Sequence, residues 1–219
     1  MLDITLSFLA IFVGVGIHYT GLSKSKKATQ SLLLFSGAFL LGTIVLEVLP
    51  YVFQSQSNVG IFVLAGILLQ LFLETLSKGV EHGHLHTKNS KTIIVMFALS
   101  IHSFLEGIPM GKFDHYLLAI VLHKIPVGIV FYQFIRAINL QSVLTWLLIT
   151  LFALMTPIGS LSAEYFAFFK NFEIELFAFS AGLLIHIASI ILFESDDKHQ
   201  LNLRKLIVVL LGIGLAYLL

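Results

Sequence analysis

Long apolar segments, separated by short polar ones, run through the whole sequence. Each is close to the ~20 residues that a helix needs to cross ~30 Å of hydrocarbon. None shows the sustained alternation that is typical of a membrane β-barrel strand. The pattern predicts an all-α, polytopic membrane protein: a bundle of eight transmembrane helices forming a single domain over residues 1–219. The apolar segments are 4–20, 30–53, 58–77, 92–111, 116–138, 143–169, 174–194 and 203–219.

The composition supports a membrane protein and excludes some kinds of site. Hydrophobic residues make up 58% of the chain and charged residues 11%, with a mean hydropathy of +0.97. A soluble domain of this size needs far more polar surface, so the partner expected from composition is the lipid bilayer. The chain has no cysteine, which excludes disulfides and thiolate metal sites. A net charge of +1 gives no reason to expect a nucleic-acid partner.

The basic residues fall mainly on one side of the predicted bundle. With the N-terminus outside, four polar segments face the cytoplasm and hold ten of the thirteen Lys and Arg residues. Lys112 and Lys170 lie on the opposite side, and Lys124 lies within a span. This asymmetry follows the positive-inside rule, and eight spans then put both termini outside. The acidic start "MLDITLS" is unlike a cleaved signal peptide, so we expect the first segment to be a span.

Ionisable side chains inside the predicted spans are the main functional signal. Such groups cost several kcal/mol near the bilayer midplane and usually face a bundle interior or a water path. At a rise of ~1.5 Å per residue, five of them lie roughly 8–15 Å below the outer boundary. Three of the five precede a proline by three residues, which indicates kinked helices around a polar cavity. The five are Glu47, His102, Glu106, His123 and His186.

Some of these polar residues have the composition of a metal site. His102 and Glu106 are four residues apart, so they share one helix face, with Ser103 beside it. With His123 they supply two imidazoles and a carboxylate, which suit a divalent first-row cation; zinc is favoured, and iron(II) and manganese(II) stay open. Glu47 would complete a four-ligand shell, or one position would stay open to water. Each histidine alone is more often a polar contact between helices, but the constellation favours a metal site.

A second group of histidines lies in the longest polar segment, a predicted cytoplasmic loop at about 78–91. It contains His82, His84 and His86. A His-rich tract of this kind can bind metal loosely. An ordinary solvated linker is an equally weighted alternative.

Several motifs carry a resemblance to a known family. "HSFLEGIPMG" and "LHKIPVG" resemble the fourth- and fifth-helix motifs of the ZIP (Zrt/Irt-like) divalent-metal transporters. "SGAFLLGTIVLEVLP", "TPIG" and "AGLLIHIASIILFE" resemble its second, sixth and seventh helices, with His186 where an aromatic residue is common. The resemblance implies a metal site between the fourth and fifth helices. Its ligands would be His102, Glu106 and His123, with Glu47 close by.

The sequence departs from the family pattern where many members bind a second metal. Lys124 stands where an acidic residue is usual, Val127 where a further ligand is common, and Ser103 where asparagine is frequent. An ammonium beside Glu106 would repel a second divalent ion, so we expect one metal per site. We expect Lys124 and His186 to modulate this site rather than to ligate the metal.

The resulting hypothesis is a transporter, not an enzyme, that carries zinc or a similar cation into the cytoplasm and uses no cofactor. The rival hypothesis is an intramembrane metal-dependent hydrolase, in which the metal and Ser103 activate water. The sequence lacks an HExxH motif, which weighs against that rival. A sensor is a third hypothesis, but no output domain is evident. We expect a bacterial inner (plasma) membrane; an organellar membrane and a homodimer both stay open.

Overall fold

The computed structural model describes residues 2–21, 25–55, 58–77, 92–194 and 203–219, and nearly all of these residues are helical. Over these ranges the chain forms ten α-helices, one π-helical turn at Ile44–Val48 and no strand. The helices are α1 Leu2–Tyr19, α2 Lys26–Thr43, α3 Leu49–Ser55, α4 Gly60–Ser77, α5 Thr92–Gly107, α6 Asp114–Ala137, α7 Ser142–Tyr165, α8 Ala167–Asn171, α9 Glu173–Glu194 and α10 Leu203–Leu218.

Six helical segments of the described chain are long and apolar enough to cross a membrane. The continuous segment Lys27–Ser55, which contains α2, the π-helical turn and α3, is one of them, and α1, α4, α6, α7 and α9 supply the others. The remaining two predicted spans correspond to α5 and α10, each of 16 residues. An all-helical membrane protein is therefore confirmed, whereas eight crossings and the outward termini stay predictions.

Two prolines account for local features of the helices, namely the early end of α5 and the π-helical turn before α3. The span predicted at 92–111 ends as a helix at Gly107, since Pro109 disfavours helical geometry at the residue before it. Before Pro50, the chain forms the π-helical turn, in which the N–H of Leu49 bonds to the carbonyl of Ile44. Because Pro50 has no N–H to donate, a local change in hydrogen-bond register is expected there.

The main packing partners of the helices are not their neighbours in sequence. Short connections usually join helices that pack side by side, but most of this bundle does not follow that rule. Helix α1 packs on α6 and α7, α2 on α10, α6 and α9, α4 on α9, and α5 on α7. Helices that are far apart in sequence therefore pack closely in the bundle. One such contact, between α5 and α7, positions the candidate site.

The membrane orientation can be tested because the chain contains no cysteine. Gln141 and Lys170 are exposed and lie beyond opposite ends of α7. If the basic segments face the cytoplasm, a membrane-impermeant maleimide should label Lys170→Cys in intact cells, and Gln141→Cys only after permeabilisation. The cysteine-free parent chain is the control. The reverse pattern would show that the termini face the cytoplasm.

Candidate metal centre

Two helices bring together three metal-ligating side chains of the types expected from the sequence. His102 and Glu106 lie one turn apart on α5, and His123 comes from α6. One ligand atom of each lies within 4.8 Å of those of the other two. The three residues are only 5%, 1% and 2% exposed, respectively. On α5 itself, His102 Nε2 lies 3.3 Å from Glu106 Oε2. The arrangement is a buried N,N,O donor set of the kind that divalent first-row cations accept.

A buried lysine contacts the same carboxylate from the other side. Lys124 Nζ lies 2.5 Å from Glu106 Oε1, and both side chains are 1% exposed. The ammonium also donates to Ser103 Oγ at 2.8 Å and lies 5.1 Å from the centre of the Phe152 ring. The two oxygens of Glu106 therefore have different partners: Oε1 contacts the ammonium and Oε2 the imidazole of His102. Oε2 is therefore the oxygen on the His102 side of the carboxylate.

Thr156 on α7 belongs to this cluster, although the sequence analysis did not identify it. Its Oγ1 lies 2.9 Å from Glu106 Oε1, 2.9 Å from the carbonyl oxygen of Ser103 and 3.0 Å from Ser103 Oγ. A hydroxyl carries a single proton, so it donates to one of these acceptors at a time. Thr156 begins the "TPIG" motif noted in the sequence. A threonine within a helix can also bond to its own backbone, so the motif alone does not indicate that this hydroxyl contacts another helix.

The close approach of α5 and α7 explains how Thr156 reaches Glu106. A Cβ atom on Gly107 would lie 2.1 Å from the carbonyl oxygen of Thr156. One on Gly159 would lie 2.0 Å from the carbonyl oxygen of Phe104. Both distances are shorter than any real contact, so only glycine allows this separation of the two backbones. Without it, the Thr156 hydroxyl would not reach the carboxylate.

The C-terminal end of α5 is held by side chains from two other helices. A helix leaves its last four carbonyl groups without partners in its own backbone. Tyr116 of α6 donates to the carbonyl oxygen of Glu106 at 2.7 Å, and Ser180 of α9 to that of Leu105 at 2.9 Å. These bonds fix the last turn, which carries Glu106. The partial negative charge at a helix C-terminus also favours a cation near this turn.

Both imidazoles of the cluster keep an unsatisfied nitrogen. The Nδ1 atoms of His102 and His123 are buried and have no hydrogen-bond partner among the described residues. Buried polar atoms are nearly always paired, so each such exception calls for an explanation. A cation bound by the imidazoles is one group that would supply the missing interaction.

Two of the predicted site residues lie against other partners. Glu47 Oε1 is 3.6 Å from His115 Nδ1, and His186 Nε2 is 3.8 Å from Glu74 Oε2. Neither Glu47 nor His186 is among the three clustered ligands, and their roles at the metal stay predictions.

The predicted loop ligands cannot be compared with the structure. His82, His84 and His86 lie outside the described residues.

A partly polar cavity of about 620 Å³ lies at the membrane face where α5 ends. Ser160 and Glu164 of α7 line it, four and eight residues after Thr156, and this spacing keeps all three on one helix face. Lys112 also lines the cavity and lies 3.3 Å from Glu173. Hydrogen bonds from Lys112 to Tyr51 and Glu173 raise the pKa of its ammonium group. A polar face of α7 thus connects the cavity wall to the buried cluster.

The comparison with protein families agrees with this chemistry. The model of a family described as ZIP zinc transporter matches residues 80–219. The matched region contains the three clustered ligands, Lys124 and Thr156. No curated protein matches the chain. The hydrolase alternative gains no support from these findings.

The buried ion pair leads to a prediction about stability. Lys124→Met leaves the Glu106 carboxylate buried without its cation, so we expect it to lower the free energy of unfolding by about 3–5 kcal/mol in metal-free detergent solution. The double variant Glu106→Gln/Lys124→Met removes both charges and should recover much of this loss. Chemical unfolding measures both effects.

A matched control is Lys170→Met, which removes an exposed lysine on α8. It should change stability by less than about 0.5 kcal/mol, as surface substitutions usually do. If Lys124→Met also lowered the free energy of unfolding by less than about 0.5 kcal/mol, the buried ion pair would not stabilise the fold as proposed.

Proposed function

Because the chain belongs to the ZIP zinc transporter family, we propose that it moves zinc into the cytoplasm through a single metal site formed by His102, Glu106 and His123. The family consists of membrane transporters of divalent metals, and the helices of this chain suit that environment. The observation that carries the proposal is the approach of three buried donors within 4.8 Å of one another.

The donor set favours zinc as the cargo. Two imidazoles and one carboxylate are common zinc ligands, and a site with three protein ligands keeps a fourth position for water. Binding through three ligands also leaves the ion able to depart, as transport requires, because tight binding would stop release. Iron(II) and manganese(II) accept the same atoms and are the competing cargoes.

Lys124 supports a stoichiometry of one metal per site. Its ammonium lies 2.5 Å from Glu106 Oε1, the carboxylate oxygen that a second cation would need. Two positive charges at this distance from one carboxylate oxygen repel each other strongly in a buried environment. The ammonium group of Lys124 thus takes the place of a second metal ion beside Glu106.

The polar cavity provides a route to the site from one membrane face. We infer that the ion enters there and reaches Glu106 along the α7 face that carries Glu164, Ser160 and Thr156. The positive-inside rule supports a cytoplasmic location for the opposite face, where the basic segments lie, and hence an outward N-terminus. A bacterial inner membrane fits this arrangement. On the exit side, Glu74 with His186, followed by the loop histidines at 82–86, would receive the ion.

The central test removes the charge of Glu106 while keeping its shape. We expect Glu106→Gln to abolish radioactive zinc uptake into proteoliposomes, because the site loses its only carboxylate. Competition with unlabelled iron(II) and manganese(II) in the parent protein would rank the cargoes.

The matched control for this test is Glu175→Gln, at the start of α9 and outside the cluster. It should retain parental uptake. If Glu106→Gln also transports at the parental rate in equal amounts of folded protein, the proposed site is wrong.

A second test concerns the number of ions bound. To keep the loop histidines out of the count, His82, His84 and His86 are first replaced by alanine. This background protein should bind one zinc ion per chain in calorimetry and in elemental analysis of the purified protein. In this background, Lys124→Glu exchanges the ammonium for a second carboxylate and should raise the number to two. Arg136→Glu changes the charge equally, but at an exposed position outside both the cluster and the polar cavity, and should leave the number at one. Two ions in the background protein, or one in its Lys124→Glu variant, would contradict the role assigned to Lys124.

A further inference from the structure

An apolar cleft of about 560 Å³ lies between α1, α2, α6 and α10, near the membrane face at which α2 and α10 begin. It is separate from the metal cluster, and its wall is almost entirely apolar. Leu32 and Leu211 in this wall are 40% and 61% exposed, so the cleft is open toward the surrounding lipid. The other apolar side chains that line it include Ile17, Phe35, Ile129 and Val208.

Positive charge lies at the polar end of this cleft. Arg204, in the first turn of α10, donates to the carbonyl oxygen of Lys27 at 2.5 Å and to Ser31 Oγ. Ser31 is itself part of the cleft wall. Both acceptors are uncharged, and no carboxylate of the described chain forms an ion pair with Arg204 or Lys27. Arg204 is an exposed cation in contact with the cleft wall, and the exposed Lys27 directly precedes Ala28, which also lines the cleft.

An unsatisfied hydroxyl provides a second, independent observation. Thr29 lines the cleft and is only 9% exposed. Its Oγ1 is buried and has no hydrogen-bond partner in the described part of the chain. Buried hydroxyls are nearly always paired. Rotation of the Thr29 side chain about its Cα–Cβ bond would turn this hydroxyl toward the cleft, where an acceptor from a bound molecule would pair with it.

We propose that this cleft binds one anionic phospholipid. The acyl chain lies along Leu32, Phe35 and Leu211, and the phosphate lies at Arg204 and Lys27. An ester oxygen of the lipid accepts from Thr29. Basic pockets between transmembrane helices bind anionic headgroups in this way. A zwitterionic lipid offers the same chain but no net negative charge, so the cations distinguish the two. The bound lipid would bridge α1 and α6 on one side with α2 and α10 on the other.

Lipid retention by the purified protein tests the headgroup contact. Native mass spectrometry would be performed after incubation with equal amounts of phosphatidylglycerol and phosphatidylcholine of the same chain length. We expect the parent protein to retain phosphatidylglycerol preferentially. Arg204→Gln should lower that retention about five-fold, as expected for one basic residue near an anionic headgroup. Lys170→Gln removes an exposed lysine on α8, outside the cleft, and should leave retention unchanged. Equal retention of the two lipids by the parent protein would overturn the proposal.

A second pair of variants tests the cleft itself. Leu211→Trp fills the cleft without touching the cations and should lower retention of phosphatidylglycerol at least as much as Arg204→Gln. Leu64→Trp on α4 is the matched control, because Leu64 is also 61% exposed but lies outside the cleft. Unchanged retention by Leu211→Trp would overturn the proposal.

A substitute for Arg204→Gln is available if that variant fails to fold, since Arg204 also joins α10 to α2. Lys27→Gln then serves in its place with the same expected direction. The readout requires no metal, so its failure would leave the proposed transport function untouched.

Discussion

The contact between Lys124 and Glu106 is the interaction on which the site depends. Burying one charge in a membrane protein is costly, and burying two is tolerated only when they are close and further hydrogen-bonded. Here Ser103 and Thr156 supply the additional bonds around the pair. The same contact leaves the two carboxylate oxygens with different partners, because Oε1 contacts the ammonium of Lys124 and Oε2 the imidazole of His102. Stability and metal chemistry are therefore properties of one side chain.

The helix contacts around the pair give it a fixed geometry. Gly107 and Gly159 allow α5 and α7 to approach closely, and Tyr116 and Ser180 hold the last turn of α5 from α6 and α9. Glu106 is thus positioned by three neighbouring helices at once. A buried ionic group held in this way is expected to keep its geometry when an ion arrives or leaves. Helix packing around Glu106, rather than additional ligands, defines the geometry of the site.

Much of the fold and part of the site can be read from the sequence. The apolar segments predict helices because their length matches the hydrocarbon thickness. The spacing of His102 and Glu106 fixes a shared helix face, and the family match covers this region. The depth of a residue in the bilayer, however, does not show which neighbouring helix its side chain faces. Glu47 and His186 were predicted to lie in the same layer, but sequence does not give the direction in which each helix face points.

Thr156 is a residue of the site that the sequence analysis did not identify, because sequence does not show which helices lie close together. Its contact with Glu106 depends on the separation of α5 and α7, which two glycines on different helices determine together. Neither glycine alone indicates which helix it approaches. Contacts of this kind between residues far apart in sequence require the tertiary structure.

The shortness of α5 has an electrical consequence for ion movement. Its 16 residues span about 24 Å, less than the hydrocarbon thickness, and Glu106 lies in its last turn, near the polar cavity. If water fills that cavity, little of the membrane voltage falls between the solution at that face and an ion bound at Glu106. Most of it falls on the remaining distance to the other face. In the proposed orientation, a potential that is negative inside would then act mainly on release, by up to about 4.6 kcal/mol per 100 mV for a doubly charged ion.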